Sequence, residues 1–280
     1  MLNSYLEKFK AYLQDTRGAS ANTVSSYMRD LTFFLKCCEK PELSDISQDD
    51  LRLYLSRLYD DGRSQATIAR TLASLKAFFA CMADLGFIEV SPALGISAPA
   101  AKRKPPQILS DSEIKRLLEQ PDRSDPKGIR DKAMLETLYA TGIRVSELIA
   151  LDRSDVNLAA GIITCRCGRT IPVYSSAVSA ISEYMLSTRA RLAVSADENA
   201  LFVNMDGSRM SRQGFWKILR QYKDKAQIQK DLNPQTLRNS FAAHMLERGT
   251  DPRLVQQILG HADISSTLVY ARVDEDVSDG

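Results

Sequence analysis

The sequence predicts a mainly α-helical protein of two domains. A four-helix N-terminal domain is expected over residues 1–97, a linker over 98–108, and a mostly helical C-terminal domain with a small antiparallel sheet over 109–280. Three observations predict this. The length of 280 residues is about twice the commonest domain size. Amphipathic segments with recognisable caps fill the N-terminal part. A proline-bearing basic stretch then interrupts the apolar periodicity, and a single β-rich stretch follows further on.

Tyr5, Phe9, Tyr12 and Leu13 share one face of a first helix. Asn22 is a candidate cap for a second helix carrying Val24, Tyr27, Leu31 and Phe34. Ser47 and Asp50 form a capping box before Leu51, Tyr54, Leu55 and Leu58, and Gly62 suits the stop. Ser64 starts a fourth helix through Ile68, Leu72, Leu75, Phe79 and Met82, with Gly86 as its end.

In the linker, small residues and prolines surround Lys102, Arg103 and Lys104. Such a triplet is usually a solvated run, but between two domains it is also placed to cross a phosphate backbone. Ser110 and Glu113 then make a second capping box, with Ile114, Leu117 and Leu118 behind it. A helix over roughly 127–140 breaks at Gly142, and another starts near Val145. Residues 161–174 read as a hairpin with a central glycine, and Leu201–Val203 as a candidate extra strand. Helices are expected near 176–191, 211–226, 235–248 and 252–259.

Hydrophobic residues make up 44% and charged residues 26% of the chain, as in a globular protein with a real core. A net charge of +2 neither announces a nucleic-acid partner nor excludes one, because a basic stripe can be offset elsewhere. No uninterrupted apolar run approaches the roughly 18–20 residues of a membrane span, and the N-terminus lacks the layout of a signal peptide. The expectation is a cytoplasmic protein without a membrane partner. Cys37, Cys38, Cys81, Cys165 and Cys167 are odd in number, which fits free thiols in a reducing compartment. Cys165 and Cys167 lack a second ligand pair at zinc spacing, so no metal site is expected.

Four short stretches carry chemistry. They are Ala140-Thr-Gly-Ile-Arg144-Val-Ser-Glu147-Leu, Asn233-Pro-Gln235-Thr-Leu-Arg238-Asn, Ile258-Leu-Gly-His261 and Ser266-Thr-Leu-Val-Tyr270. Taken singly each has a bland reading: surface ion pairs for the arginines, a helix end for His261, a half-buried ring for Tyr270. Together and in order they resemble the catalytic domain of the tyrosine recombinase (phage integrase) family. That family shows an arginine in an "ATGLRxSEL" stretch, an "HxLRH" box, an "LGH" and a tyrosine nine residues later, the separation of His261 and Tyr270 here. Ser20–Arg29 and Thr67–Lys76 resemble its N-terminal core-binding domain, a SAM-like helical fold, and the length resembles the Xer type.

The resemblance implies strand cleavage of DNA by Tyr270 through a covalent 3′-phosphotyrosyl link, which conserves bond energy for religation and calls for no cofactor. Arg144 and Arg238 would neutralise the non-bridging phosphate oxygens, since guanidiniums are permanently charged and forked toward phosphate. His261 would donate to the same phosphate, and Glu147 would orient Arg144. The implied partners are double-stranded DNA and further subunits, as a homo-tetramer on paired sites or with a paralogous recombinase. Arg70, Lys76, Arg212 and Gln213 join the linker triplet as candidate DNA contacts. Chromosome-dimer resolution and mobile-element integration both remain open.

Two catalytic positions depart from the family. Its hairpin lysine, which protonates the leaving 5′-oxygen, has no counterpart, because no lysine occurs between Lys132 and Lys217. Arg166 and Arg169 are the candidate substitutes, but arginine is a poor proton donor. Gln235 stands where the box begins with histidine, and it can donate a hydrogen bond but not exchange a proton. Only ten residues follow Tyr270, where Xer-type proteins carry a helix that docks on a neighbouring subunit. Three readings stay open: a recombinase with altered acid–base chemistry, a DNA-binding homologue with weak or no cleavage, and an interaction module that does not bind DNA.

Overall fold

The structure, a computed structural model, describes residues 2–38, 40–97, 105–193 and 198–271. The chain divides into two compact units, Met1–Arg103 and Lys104–Gly280. Lys102, Arg103 and Lys104 lie outside the described residues.

The N-terminal unit holds α1 (Leu2–Ala11, continued by a π-helical turn Tyr12–Thr16), α2 (Ala21–Cys38), α3 (Gln48–Asp60) and α4 (Gln65–Asp84). The start of α2 corrects one expectation. Ser20, not Asn22, caps it, because the Ser20 hydroxyl reaches the Thr23 amide at 3.2 Å while Asn22 already lies inside the helix. The Ser47 capping box and the Ser64 cap form as the sequence predicts. The core is aromatic: Phe9 packs edge-on against Phe78, Phe78 against Phe79, and Phe79 against Phe34, with centroids 5.2 to 6.2 Å apart. By length and composition α4 would pass for a membrane helix, but Ile68, Leu72, Leu75, Phe78, Phe79 and Met82 are buried in this core.

The C-terminal unit holds α5 (Asp111–Glu119), α6 (Pro126–Thr141) and α7 (Val145–Ala150). Next come β1 (Val156–Asn157), β2 (Ile162–Thr164) and β3 (Thr170–Pro172), an antiparallel sheet in the order β1-β2-β3. Then come α8 (Ser175–Tyr184), α9 (Ala190–Leu192), α10 (Arg212–Lys225), α11 (Pro234–Glu247), α12 (Pro252–Leu259) and α13 (Ser265–Ala271). The expected strand at Leu201–Val203 does not join the sheet; the third strand is β1. Leu201 N–H does pair with the Leu151 carbonyl, but the carbonyls of Ala200 and Leu201 are taken by the Arg189 guanidinium, so no ladder can propagate. Helix α13, which carries Tyr270, was not anticipated.

Helices α6 and α11 are buried around most of their circumference, which explains their small residues Ala133, Ala140, Ala242 and Ala243. Gly142 ends α6 at φ +57°, wedged against Phe241 and Leu259. A side chain there would require a left-handed backbone and space that is already filled. This junction of α6, α11 and α12 is the platform of the site.

Candidate active site

Three arginines from three separate elements converge on the last turn of α12. Arg169 Nη1 donates to the Ile258 carbonyl at 2.9 Å, Arg238 Nη2 to the Leu259 carbonyl at 2.6 Å, and Arg144 Nη2 to the Gly260 carbonyl at 3.0 Å. A helix C-terminus leaves its last carbonyls without intrahelical partners and carries partial negative charge, so it attracts cations. Gly260 permits the approach: at φ +64° a Cβ would lie 2.5 Å from Arg169 Nη1.

Each arginine is also held from behind. Arg144 precedes α7 as its cap, and its amide donates to Glu147 Oε2 at 2.9 Å. Glu147 lies 3.4 Å from Arg144 Nη1 and 2.8 Å from Arg169 Nη2, joining the two guanidiniums through one carboxylate. Arg238 Nη1 donates to the Gly142 carbonyl at 2.6 Å. Arg238 is almost fully buried. Burial first, then Arg144 and Arg169, pull its pKa down to about 10, which still leaves it charged at neutral pH. Arg144 remains 45% exposed, so its guanidinium is available to a ligand.

His261 follows Gly260 directly. Its Nδ1 lies 2.9 Å from the buried Thr267 hydroxyl, and its ring stacks on Tyr270 with centroids 6.3 Å apart. Burial, then the charges of Arg238, Arg144 and Arg169, push its pKa down to about 4, so the ring is neutral at pH 7. Tyr270 is buried in α13, and its hydroxyl donates to Asn239 Oδ1 at 3.0 Å. Burial raises the phenol above its usual range, against the opposing pull of Arg238 and the Gln235 amide.

The structure therefore brings Arg144, Arg238, His261, Tyr270, Gln235, Glu147 and Arg169 together. It does not bring Arg166, whose exposed guanidinium turns away to Asp152 at 3.3 Å, where Asp152 also pairs with Arg209. Across the tight turn at Gly168 (φ +82°) the two hairpin arginines take different partners, Asp152 and Glu147. Arg169 itself is committed to Glu147 and α12. A cleft lined by Arg144, Arg212, Trp216, Asn233, Gln235 and Arg238 opens beside the cluster, which places Arg212 at its rim. Gln213 is exposed next to it on α10. Lys76 is exposed on α4, whereas Arg70 makes a bidentate pair with buried Asp30 at 2.9 Å for both bonds.

Sequence reasoning missed Asn239 and Thr267. Asn239 fills the fifth place of the "HxLRH" box, and its i, i+4 spacing from Gln235 puts both amides on one face of α11. That spacing was a usable signal. Thr267 gave none.

A family model described as the phage integrase family matches residues 107–276, and one described as the phage integrase N-terminal SAM-like domain matches residues 6–84. The chain is 43% identical over 282 residues to tyrosine recombinase XerD of Oceanobacillus iheyensis, covering 98% of this chain and 95% of that protein. It is 41% identical over 283 residues to tyrosine recombinase XerC of Herpetosiphon aurantiacus, covering 98% and 92%. Among solved structures it is similar to a XerA recombinase, with a TM-score of 0.55 and 30% identity over 98% of this chain and 96% of that one. In fold it is similar to a XerH site-specific recombinase bound to a palindromic difH substrate, with a TM-score of 0.74 and 22% identity over 98% and 84%.

Proposed function

The chain belongs to the phage integrase family of tyrosine recombinases, and from that membership we propose that it cuts and rejoins DNA strands at specific sites with Tyr270 as its nucleophile. One observation carries the assignment of residues: Arg144 and Arg238 meet on the end of α12, His261 follows in the chain, and Tyr270 stacks on His261.

In this reading the scissile phosphate enters beside Arg144 and Arg238. Their charges oppose the negative charge that builds on the non-bridging oxygens as Tyr270 Oη bonds to phosphorus and the bond to the 5′-oxygen breaks. His261 acts as a neutral hydrogen-bond donor in the tautomer whose Nδ1, 2.9 Å from the Thr267 hydroxyl, accepts from it, which puts the ring proton on Nε2. Gln235 offers an amide N–H to the same phosphate. The released 5′-hydroxyl of a partner strand then attacks the phosphotyrosine and restores Tyr270. Glu147 fixes the spacing of Arg144 and Arg169. Arg212, Gln213 and Lys76 are proposed DNA contacts, with Lys102, Arg103 and Lys104 in the same role by sequence.

The partner is duplex DNA, and the working unit is a tetramer on two sites, formed by copies of this chain or with a paralogue. The N-terminal domain, residues 1–97, adds DNA contacts to the catalytic domain, residues 109–280. The place of action is the cytoplasm.

A second reading, binding without efficient cleavage, is favoured by the hairpin. Arg166 and Arg169 are both engaged elsewhere, and neither is a ready proton donor. A suicide substrate nicked near the cleavage point decides between the two. Wild type should accumulate a covalent adduct that Tyr270→Phe lacks; a site that is bound without any adduct supports the second reading.

A further inference from the structure

We propose that Asn239 is a positioning residue for the nucleophile: its side-chain oxygen holds the Tyr270 hydroxyl in place and is itself braced by Gln235. The proposal rests on the reading of Tyr270 as nucleophile and adds a residue that the catalytic set lacks.

The geometry is a three-residue chain. Asn239 Oδ1 accepts from Tyr270 Oη at 3.0 Å and from Gln235 Nε2 at 2.9 Å. A carbonyl oxygen has two lone pairs, and both are filled. The two donors also fix which way the buried amide points. Gln235 and Asn239 stand one turn apart on α11 with Arg238 between them, and Tyr270 comes from α13, so the chain ties the two helices together at the level of Arg238.

An amide oxygen is not a base at neutral pH. Asn239 therefore does not take the phenol proton; it restricts where Tyr270 Oη can be. The hydroxyl is buried among packed side chains, and a displacement of about 1 Å can cost a reaction about a hundredfold. Gln235 adds a link to the substrate. It is exposed and lines the cleft with Arg144 and Arg238, so the side chain that braces Asn239 is also open to an incoming phosphate. A phosphate oxygen that draws the Gln235 N–H away leaves Asn239 Oδ1 with Tyr270 as its sole donor. Occupancy of the cleft is thereby passed to the nucleophile through one amide.

Two variants separate positioning from simple satisfaction of a buried group. Asn239→Leu keeps the volume and removes the acceptor, and Asn239→Asp keeps an acceptor oxygen. In the DNA-free protein, O-acetylation of Tyr270 by N-acetylimidazole, mapped by mass spectrometry against the other tyrosines, reads how firmly the hydroxyl is held. Asn239→Leu should raise the Tyr270 rate about fivefold, the factor expected from one lost hydrogen bond, while Asn239→Asp stays near wild type. On nicked substrate at saturating protein, Asn239→Leu should slow single-turnover cleavage about tenfold or more. Its DNA affinity should stay within about twofold, and Asn239→Asp should restore most of the rate. If Asn239→Leu does not fold, Gln235→Leu, which removes the exposed brace, should raise Tyr270 acetylation in the same direction. Equal acetylation in wild type and the leucine variants overturns the proposal, as does an aspartate variant as impaired as the leucine one. If wild type forms no adduct on DNA that it binds, the cleavage reading fails, while the acetylation rates still decide what Asn239 holds.

Discussion

The rings of His261 and Tyr270 lie stacked, 6.3 Å between centroids and 25° between planes, and three guanidiniums donate to the carbonyls of the three residues just before His261. Burial of the imidazole first, and then the charges of Arg238, Arg144 and Arg169, disfavour its cation. The pKa of about 4 against an ordinary 6.5 makes a prediction about stability. Between those values the unfolded chain takes up a proton that the folded chain refuses, so stability falls as pH drops from about 6.5 toward 4. Thermal melts over that range should show wild type losing stability relative to His261→Gln. Equal pH slopes for the two proteins would contradict a neutral, charge-surrounded His261.

The hairpin makes a prediction about the leaving group. If protonation of the 5′-oxygen limits cleavage, replacing that oxygen by sulfur, which leaves as a stable thiolate, should raise the wild-type rate by about 10²–10⁴. Introducing Arg169→Lys, at the hairpin position that faces the cluster, together with Gln235→His should raise cleavage of ordinary DNA and shrink the sulfur effect. A rate unchanged by both would mean that the native site protonates the leaving oxygen by another route.

Gly142→Ala should be costly although Gly142 touches no substrate. Its φ of +57° and a new Cβ 2.8 Å from Leu259 Cδ2 strain the junction on which Arg238 rests. A loss of about 1–3 kcal/mol in denaturant unfolding is expected, with a matching loss of cleavage.

Arg70→Ala should mislead as a DNA-contact test. Its partner Asp30 is only 8% exposed, so removing the guanidinium strands a buried carboxylate and should cost about 1–3 kcal/mol of N-terminal-unit stability. Lys76→Ala, on an exposed side chain, should weaken DNA binding and lower its salt dependence without shifting the melt. Equal melts for the two variants would restore Arg70 as a candidate contact.

Much of this was legible in the sequence where short-range chemistry decides. Ser47, Ser64 and Ser110 announce their helices because a cap and its amide are three residues apart. The order of Arg144, Arg238, His261 and Tyr270 carries the catalytic reading. What was not legible depends on partners distant in the chain. Leu201–Val203 has strand-forming residues, but Arg189 takes the carbonyls of Ala200 and Leu201 and Arg130 that of Val203. Arg166 and Arg169 are three residues apart in one hairpin, and their distant partners, Asp152 for Arg166 and Glu147 with the Ile258 carbonyl for Arg169, decide that one faces out and the other in. Helix α13 is seven residues long, too short for periodicity to declare.

The three carbonyls of Ile258, Leu259 and Gly260 are successive rungs of a single ladder, so their guanidiniums share one ruler. Any event that rotates or lifts the end of α12 displaces Arg144, Arg169 and Arg238 in concert, whereas a change in Arg238 leaves Arg144 and Arg169 joined through Glu147. Substitutions within α12 remote from the phosphate should therefore mimic a simultaneous loss of several charges. In mutant cycles their effects should fall well short of the sum when combined with a loss of Arg144 or Arg238.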